Sequence, residues 1–309
     1  MSYSPVNSYD ERQGVGSIKE DLWDLISNVE STEFQLQSGL GNIDVYSTRH
    51  EWLVDTLAAG NTNVARAEGF TPDYADVTNT TRIANYLQTI DASVKVTDRM
   101  KAVRTAGQFS DDMARQKANA IKVLKNRIEY ALMAGTIATG SSTVASGMAG
   151  IKDVTTWGVS GYEMLTTNTS GTSLSETMFN DYLANNWDGT AEVPQEAFMG
   201  AAIKRRISGF TAGSTKNTDN EDKRLVNAVD VYESDFGIIK LFLHRYANAG
   251  ATNNDLVLVN PDFAKIGFLR RPEYVETAKT GDATQGYYVA DLTLQVSNPK
   301  THQVVKNIL

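Results

Sequence analysis

Three histidines, thirty-seven acidic residues and no cysteine bound the chemistry open to this chain. Without sulfur there is no thiolate metal site, no cysteine nucleophile, no disulfide and no thiol redox switch. His50, His244 and His302 lie far apart, and none has an acidic neighbour at ligand spacing, so the sequence assembles no metal triad. There is no glycine-rich phosphate loop, no histidine pair at i, i+4 and no Gly-x-Ser-x-Gly elbow. The acidic run Asp219-Asn220-Glu221-Asp222 lacks the glycine and terminal glutamate of a calcium loop and reads as a charged surface. Lys204-Arg205-Arg206 points three ways around a helix, which suits solvent better than a phosphate. Carboxylate pairs converge only in space, so the sequence leaves that chemistry open. These residues point away from an enzyme, and no cofactor is expected.

The 309 residues, 41% of them hydrophobic, suffice for one large domain or two ordinary ones. A net charge of −8 argues against sequence-independent binding to phosphate backbones. No run of about 18 apolar residues occurs and the N-terminus lacks a basic, then apolar, leader, so cytoplasmic synthesis without membrane insertion is expected. Asn79-Thr80-Thr81 and Asn168-Thr169-Ser170 fit the glycosylation pattern, but without a secretory signal they read as chance matches.

The elements are organised around 110–135, the longest helical pattern. Ser110 can cap it, Asp111 and Asp112 charge its first turn, and Gly135 can turn left-handed past its end. Ile121, Leu124, Ile128, Ala131 and Leu132 form its buried stripe, with Arg115, Lys122, Lys125 and Glu129 facing elsewhere. Residues 1–16 read as an extended arm. Ser17-Ile18-Lys19-Glu20 then opens a helix with Ile18, Leu22, Leu25, Ile26 and Val29 on one face. A hairpin follows, with Glu51-Trp52-Leu53-Val54-Asp55-Thr56-Leu57 as one leg and Val64 to Phe70, containing Arg66 and Glu68, as the other. A two-stranded hairpin buries too little to stand alone, so it must lie on its own domain or on another copy.

Thr81 to Val96 reads as one extended strand. Lys95 to Arg127 carries nine basic against three acidic residues, a stretch open to nucleic acid, to a neighbour's acidic N-terminal arm or to solvent. Residues 136–173 read as loops around short strands anchored by Trp157 and Tyr162. Ser173-Leu174-Ser175-Glu176 opens a helix with Met178, Phe179, Tyr182, Leu183 and Trp187, stopped by Gly189. Residues 194–210 read as a strand and a helix. Residues 237–244 and 256–259 read as strands, the second running into the Asn260-Pro261 cap. Residues 288–296 alternate as a strand, and Asn298-Pro299-Lys300 turns the chain back through Val304-Val305 as a C-terminal hairpin.

This order resembles the HK97-type major capsid protein of tailed phages, and within it the SU10-like major capsid protein family. The resemblance is carried by Glu51-Trp52-x-x-Asp55-x-Leu57 to Glu68-Gly69 and by Arg127-Ile128-Glu129-Tyr130-Ala131-Leu132. Tyr232-x-x-Asp235-Phe236-Gly237, Ala278 to Ala283 and Asp291 to Asn298 add to it. It implies an α+β, HK97-like capsid fold: N-terminal arm and helix (1–38), extended β-hairpin loop (39–80) and peripheral domain (81–149) with spine helix 110–135. An axial α/β domain (150–285) and closing peripheral strands (286–309) complete it. It further implies that Glu51, Trp52, Leu53, Asp55, Leu57, Arg66, Glu68 and Phe70 meet an adjacent subunit, and that Ile121, Leu124, Ile128 and Leu132 form the spine core. The implied partners are copies of the chain in hexamers and pentamers, portal, scaffolding and decoration proteins, and packaged double-stranded DNA held non-specifically inside a virion.

Some relatives cross-link the loop through a lysine, yet residues 21–94 contain none, so that chemistry cannot start here. No long charged scaffolding segment is read at the N-terminus, so scaffolding is expected to be a separate protein or removed. The competing readings are another virion component, such as a tail protein, and a soluble α/β enzyme using residues 136–290.

Overall fold

The computed structural model describes residues 34–55, 65–71, 80–102, 112–157, 163–190, 192–210, 231–250, 254–279 and 281–309. A short helix α1 (Gln35–Gly39) leads into β1 (Gly41–Asp44), β2 (Arg49–Val54), β3 (Thr81–Tyr86) and β4 (Gln88–Thr97). Next come α2 (Asp98–Ala102), the long α3 (Asp112–Ala134), β5 (Leu165–Asn168), α4 (Glu176–Thr190), β6 (Glu196–Met199) and α5 (Ala201–Ser208). The chain ends with β7 (Val231–Ser234), β8 (Gly237–Leu243), β9 (Asn254–Val259), β10 (Ala264–Glu276), β11 (Ala283–Val296) and β12 (Gln303–Ile308).

Among the described residues three sheets result, with strand orders β1-β10-β11-β4, β5-β12-β9-β6-β8-β7 and β2-β3. The first lies against α3, whose 23 residues run roughly 35 Å at 1.5 Å per residue. Leu124, Ile128, Ala131 and Leu132 are fully or nearly fully buried there, as the stripe requires, but Ile121 is only half-buried. The six-stranded sheet is buried on both faces because its central strands alternate between two cores. Phe198, Val257, Val259 and Val304 join the core under α3, while Ala197, Met199, Leu256, Leu258 and Val305 join Phe179, Leu183 and Ile203 of α4 and α5.

Several expectations are corrected. The leg that pairs with β2 is β3, from Glu51 opposite Ala84 to Val54 opposite Thr81, and Ala65 to Phe70 is no strand. What read as one strand from Thr81 breaks at Leu87, whose N–H turns to the Thr48 carbonyl at 2.9 Å. Asn85 fixes the break: its amide donates to Leu294 O (2.8 Å) and Ala149 O (3.2 Å), and its oxygen accepts from the Ala149 (2.9 Å) and Tyr86 (2.9 Å) N–H groups. All four of its hydrogen-bonding positions are used. The inward face therefore switches from Ile83, Asn85 and Leu87 to Ile90, Ala92, Val94 and Val96.

The C-terminus is no hairpin. β11 belongs to the four-stranded sheet, whereas β12 crosses to the six-stranded sheet between β5 and β9. The closing segment 286–309 is thus divided between two sheets, β10 from within 150–285 lies in the four-stranded sheet, and β1 from within 39–80 pairs with β10. Pro272 sits where β10 shifts register against β11, a place that needs no ladder N–H.

Gly135 does not take the left-handed conformation. It is required by space, since a Cβ there would meet Ala131 O at 2.4 Å and Met148 O at 2.7 Å. Helix α4 is capped by Ser175, whose hydroxyl accepts from Met178 N–H at 3.2 Å, and it runs through Gly189. Asn186 is buried there in place of Trp187, which is exposed. Asn260 caps a short turn at Pro261–Phe263 as expected, and Trp157 is fully buried. Ser110, Asp111, Tyr162, the helix from Ser17 and the run Asp219 to Asp222 lie outside the described residues.

Candidate assembly surfaces

The β2-β3 pair is anchored on its own body, and the described residues of the loop that joins its strands are exposed. At the base, Trp52 donates its indole N–H to Val296 O at 3.0 Å, and its ring sits 6.2 Å from that of the fully buried Trp157. His50 Nε2 lies 2.9 Å from Gln295 Oε1. Trp52 was expected to meet a neighbouring subunit; an amphipathic ring beside a strand carbonyl instead finds its partner on its own body. Glu51 is held between Arg49 and Arg82, each at 3.0 Å. Such half-exposed pairs are each worth at most about 1 kcal/mol and chiefly keep the two strands in register.

Farther out, Leu53 is 63% exposed and Phe70 53%, and Asp55, Arg66 and Glu68 are exposed. Gly69 at φ +78° turns the chain, Phe70 N–H donating to Ala67 O, and the Arg66 guanidinium stands 5.9 Å from the Phe70 ring centre. Leu57 lies outside the described residues. Of the residues expected to meet a neighbour, Leu53, Asp55, Arg66, Glu68 and Phe70 are thus exposed on this subunit, while Trp52 is engaged with its own body.

A second centre was missed. Glu129 was expected to face outward from the long helix, yet it is buried. Oε1 accepts from Leu36 N–H (2.8 Å) and sits 3.0 Å from His244 Nε2; Oε2 accepts from the N–H (3.2 Å) and side-chain amide (3.0 Å) of Gln37. One carboxylate thus ties the first described turn of the chain to α3 and to the end of β8. Its flanking place beside Ile128 and three residues before Leu132 was the available signal.

Lys152 plays a similar part, donating to Asp255 (2.7 Å), Ala247 O (2.7 Å) and Ala249 O (2.9 Å) and so using all three of its protons. On β11, Asp291 binds Thr89 and Arg270. Burial acts to raise the Asp291 carboxyl's pKa, but hydrogen bonds from Arg270 and Thr89 outweigh it and hold the group below the usual carboxylate range.

Among the described residues, two of the hollows open at the surface stand out. One of about 430 Å³ runs between β4 and α3, lined by Ile90, Val123, Asn126, Arg127, Tyr130 and Tyr246 among others. The other, of about 370 Å³, lies where α3 ends, around Lys152, Asp255 and Lys306. His302 is buried with Nδ1 accepting from Asn260 N–H at 3.2 Å and Nε2 without a partner in hydrogen-bonding geometry. Burial pushes its pKa down to about 3, opposed only in part by the Phe263 backbone. His50, His244 and His302 stay apart, and among the described residues no group of acidic and histidine side chains could hold a metal ion. Among the described residues, no helix is long and apolar enough to cross a membrane.

This arrangement of a long helix against a β-sheet with a second, mixed sheet is that of HK97-like shell proteins. The chain superposes on the capsid asymmetric unit of cyanophage A-1(L) with a TM-score of 0.68 and 12% identity, covering 97% of this chain and 98% of that one. It matches the capsid of Myoviridae phage XM1 with a TM-score of 0.62 and 12% identity (94% and 97% covered). The SrpI encapsulin of Synechococcus elongatus PCC 7942 gives 0.56 and 10% identity (98% and 96% covered). A comparison with curated proteins gives no match. The sequence profile of the SU10 major capsid protein family matches residues 5–309, and the chain belongs to that family. It is a phage major capsid protein, and membership implies a structural, non-enzymatic role, self-association into a shell and a place in the virion.

Proposed function

We propose that this subunit forms the hexamers and pentamers of an icosahedral head enclosing double-stranded DNA, with the loop between β2 and β3 lying across an adjacent copy. The observation that carries the reading is the two-stranded sheet β2-β3, held on its own body at Trp52, Ile83 and Asn85 while Leu53 and, in the loop between its strands, Phe70 stay uncovered. Obligate interfaces commonly exceed about 2,000 Å², and a ribbon that projects from its own body is one way to reach such an area. In this reading α3 and the four-stranded sheet form the peripheral unit. The six-stranded sheet with α4 and α5 forms the axial unit, whose tips meet at the centres of the capsomers. Synthesis is in the host cytoplasm, and portal, scaffolding and decoration proteins are its further partners.

With a net charge of −8 the shell touches packaged DNA loosely and non-specifically. No lysine occurs from 21 to 94, so a lysine cross-link to the neighbour cannot start from this loop. The test is the double variant Leu53→Asp, Phe70→Asp, followed by light scattering after size-exclusion chromatography. Loss of megadalton particles with a folded, smaller species supports the reading; particles of unchanged mass overturn it.

A further inference from the structure

The long helix α3 bears an exposed face that its own described chain does not cover. Val123 is 40% exposed and Tyr130 47%, seven residues apart and so nearly in line along one side of the helix. Asn126 and Arg127 lie between them, and with Ile90 and Tyr246 they line the groove between α3 and β4. Tyr130 stands edge-on to Tyr246 at 5.4 Å, and the two rings form an aromatic wall of the groove. The helix carries five basic residues, Arg115, Lys117, Lys122, Lys125 and Arg127, against Asp112 and the buried Glu129. Of the charged groups at the groove, Arg127 donates to the Asp91 backbone carbonyl, and the Asp91 side chain is exposed at the rim.

The described chain begins beside this groove. Phe34 lies under the Lys125 ammonium, 5.6 Å from its ring centre, and Gln37 binds the Lys125 carbonyl at 2.7 Å. Asn126 lines both the groove and the small recess that holds Gln35, so the two hollows adjoin on the helix surface. Residues 1–33, which precede that point, carry seven acidic residues against two basic. Within them Ile18, Leu22, Leu25, Ile26 and Val29 recur at the spacing of one helical face, and Glu20, Asp21 and Asp24 fall among them. From Val29 to Phe34 is five residues, a reach of at most roughly 18 Å, which keeps the end of that face near the part of α3 that Phe34 and Gln37 touch.

We propose that the acidic N-terminal segment, residues 18–29, docks as an amphipathic helix in the α3–β4 groove of its own subunit, its apolar face on Val123 and Tyr130 and its carboxylates toward Lys122 and Arg127, which flank them. The docked segment covers the apolar stripe and neutralises part of the basic helix. Removing the segment exposes both.

The absence of native cysteine makes the test clean. Leu22→Cys, Ile26→Cys and Val29→Cys are each combined with Val123→Cys in the full chain, oxidised at low protein concentration and read on non-reducing gels with peptide mass spectrometry. Disulfide formation needs the two Cβ atoms about 3.5–4.5 Å apart, so a short bismaleimide is run in parallel to capture pairs a little farther apart. The proposal expects an intramolecular cross-link in the majority of chains for at least one pair and none when Val123→Cys is replaced by Val144→Cys, an exposed site off the groove. Cross-linked dimers in place of monomers place a second copy's arm in the groove and overturn it. No cross-link with either reagent also overturns it. Neither result bears on the loop between β2 and β3, which is tested separately.

Discussion

Replacing Glu129 by glutamine tests how the first described turn is held. The carboxylate satisfies four donors: two backbone N–H groups, the Gln37 amide and the His244 ring. Glutamine offers a single acceptor oxygen and turns its own NH₂ toward donors, so at least one backbone N–H beside the fully buried Leu36 loses its partner. A buried donor left unmade costs about 1–3 kcal/mol, and the surviving bonds lose the charge assistance that roughly doubles them. The sum is about 2–4 kcal/mol, which lowers the unfolding midpoint of a chain this size by about 4–8 °C. Calorimetry reads the midpoint, and hydrogen exchange reads the cause, because the Leu36 and Gln37 amides should exchange far faster in Glu129→Gln. A midpoint within 1 °C of the parent (roughly the shift from 0.5 kcal/mol), or unchanged exchange at those amides, refutes the reasoning.

Other expectations follow from the same geometry. His302 stays neutral in the fold down to about pH 3, whereas an unfolded histidine protonates near 6.5. Stability is therefore intact above pH 6.5 and falls below it, by about 2 kcal/mol at pH 5, and urea titrations of His302→Gln should lose that slope. Trp52→Ala, which removes the contact with Trp157 and the bond to Val296 O, should cost about 2–3 kcal/mol in the isolated subunit, a folding defect visible by circular dichroism before assembly. Gly135→Ala forces a Cβ against two backbone carbonyls and should cost about 1–3 kcal/mol by thermal melting, with no compensating gain from helix propensity.

How much of this was legible in the sequence follows from the range of the forces involved. The long helix, β8, β9 and the Asn260-Pro261 cap rest on local periodicity and punctuation, and they stand where the pattern put them. The partner of β2 was misplaced because Val64 to Phe70 and Thr81 to Tyr86 both alternate, and the choice is made far away, by Trp52 on Val296 and Asn85 on Leu294. The break at Leu87 has no local signal, since Asn85 looks like any polar residue until its partners close around it. Glu129 was read as outward because a buried carboxylate needs donors, and these arrive from 93 residues away in the sequence. At Asn298-Pro299 the turn was legible, but the sheet that β12 joins was not, because β9 and β11 offer similar apolar edges.

The central claim is that the β2–β3 loop finds its cover on a sister subunit, and a cryo-electron microscopy map of the assembled shell tests it most directly. The account expects density from Leu53 outward to cross onto an adjacent copy, with Phe70 buried there and Trp52 still on its own body. Density showing the loop folded over the subunit that carries it, with Phe70 open to solvent in the shell, would contradict it.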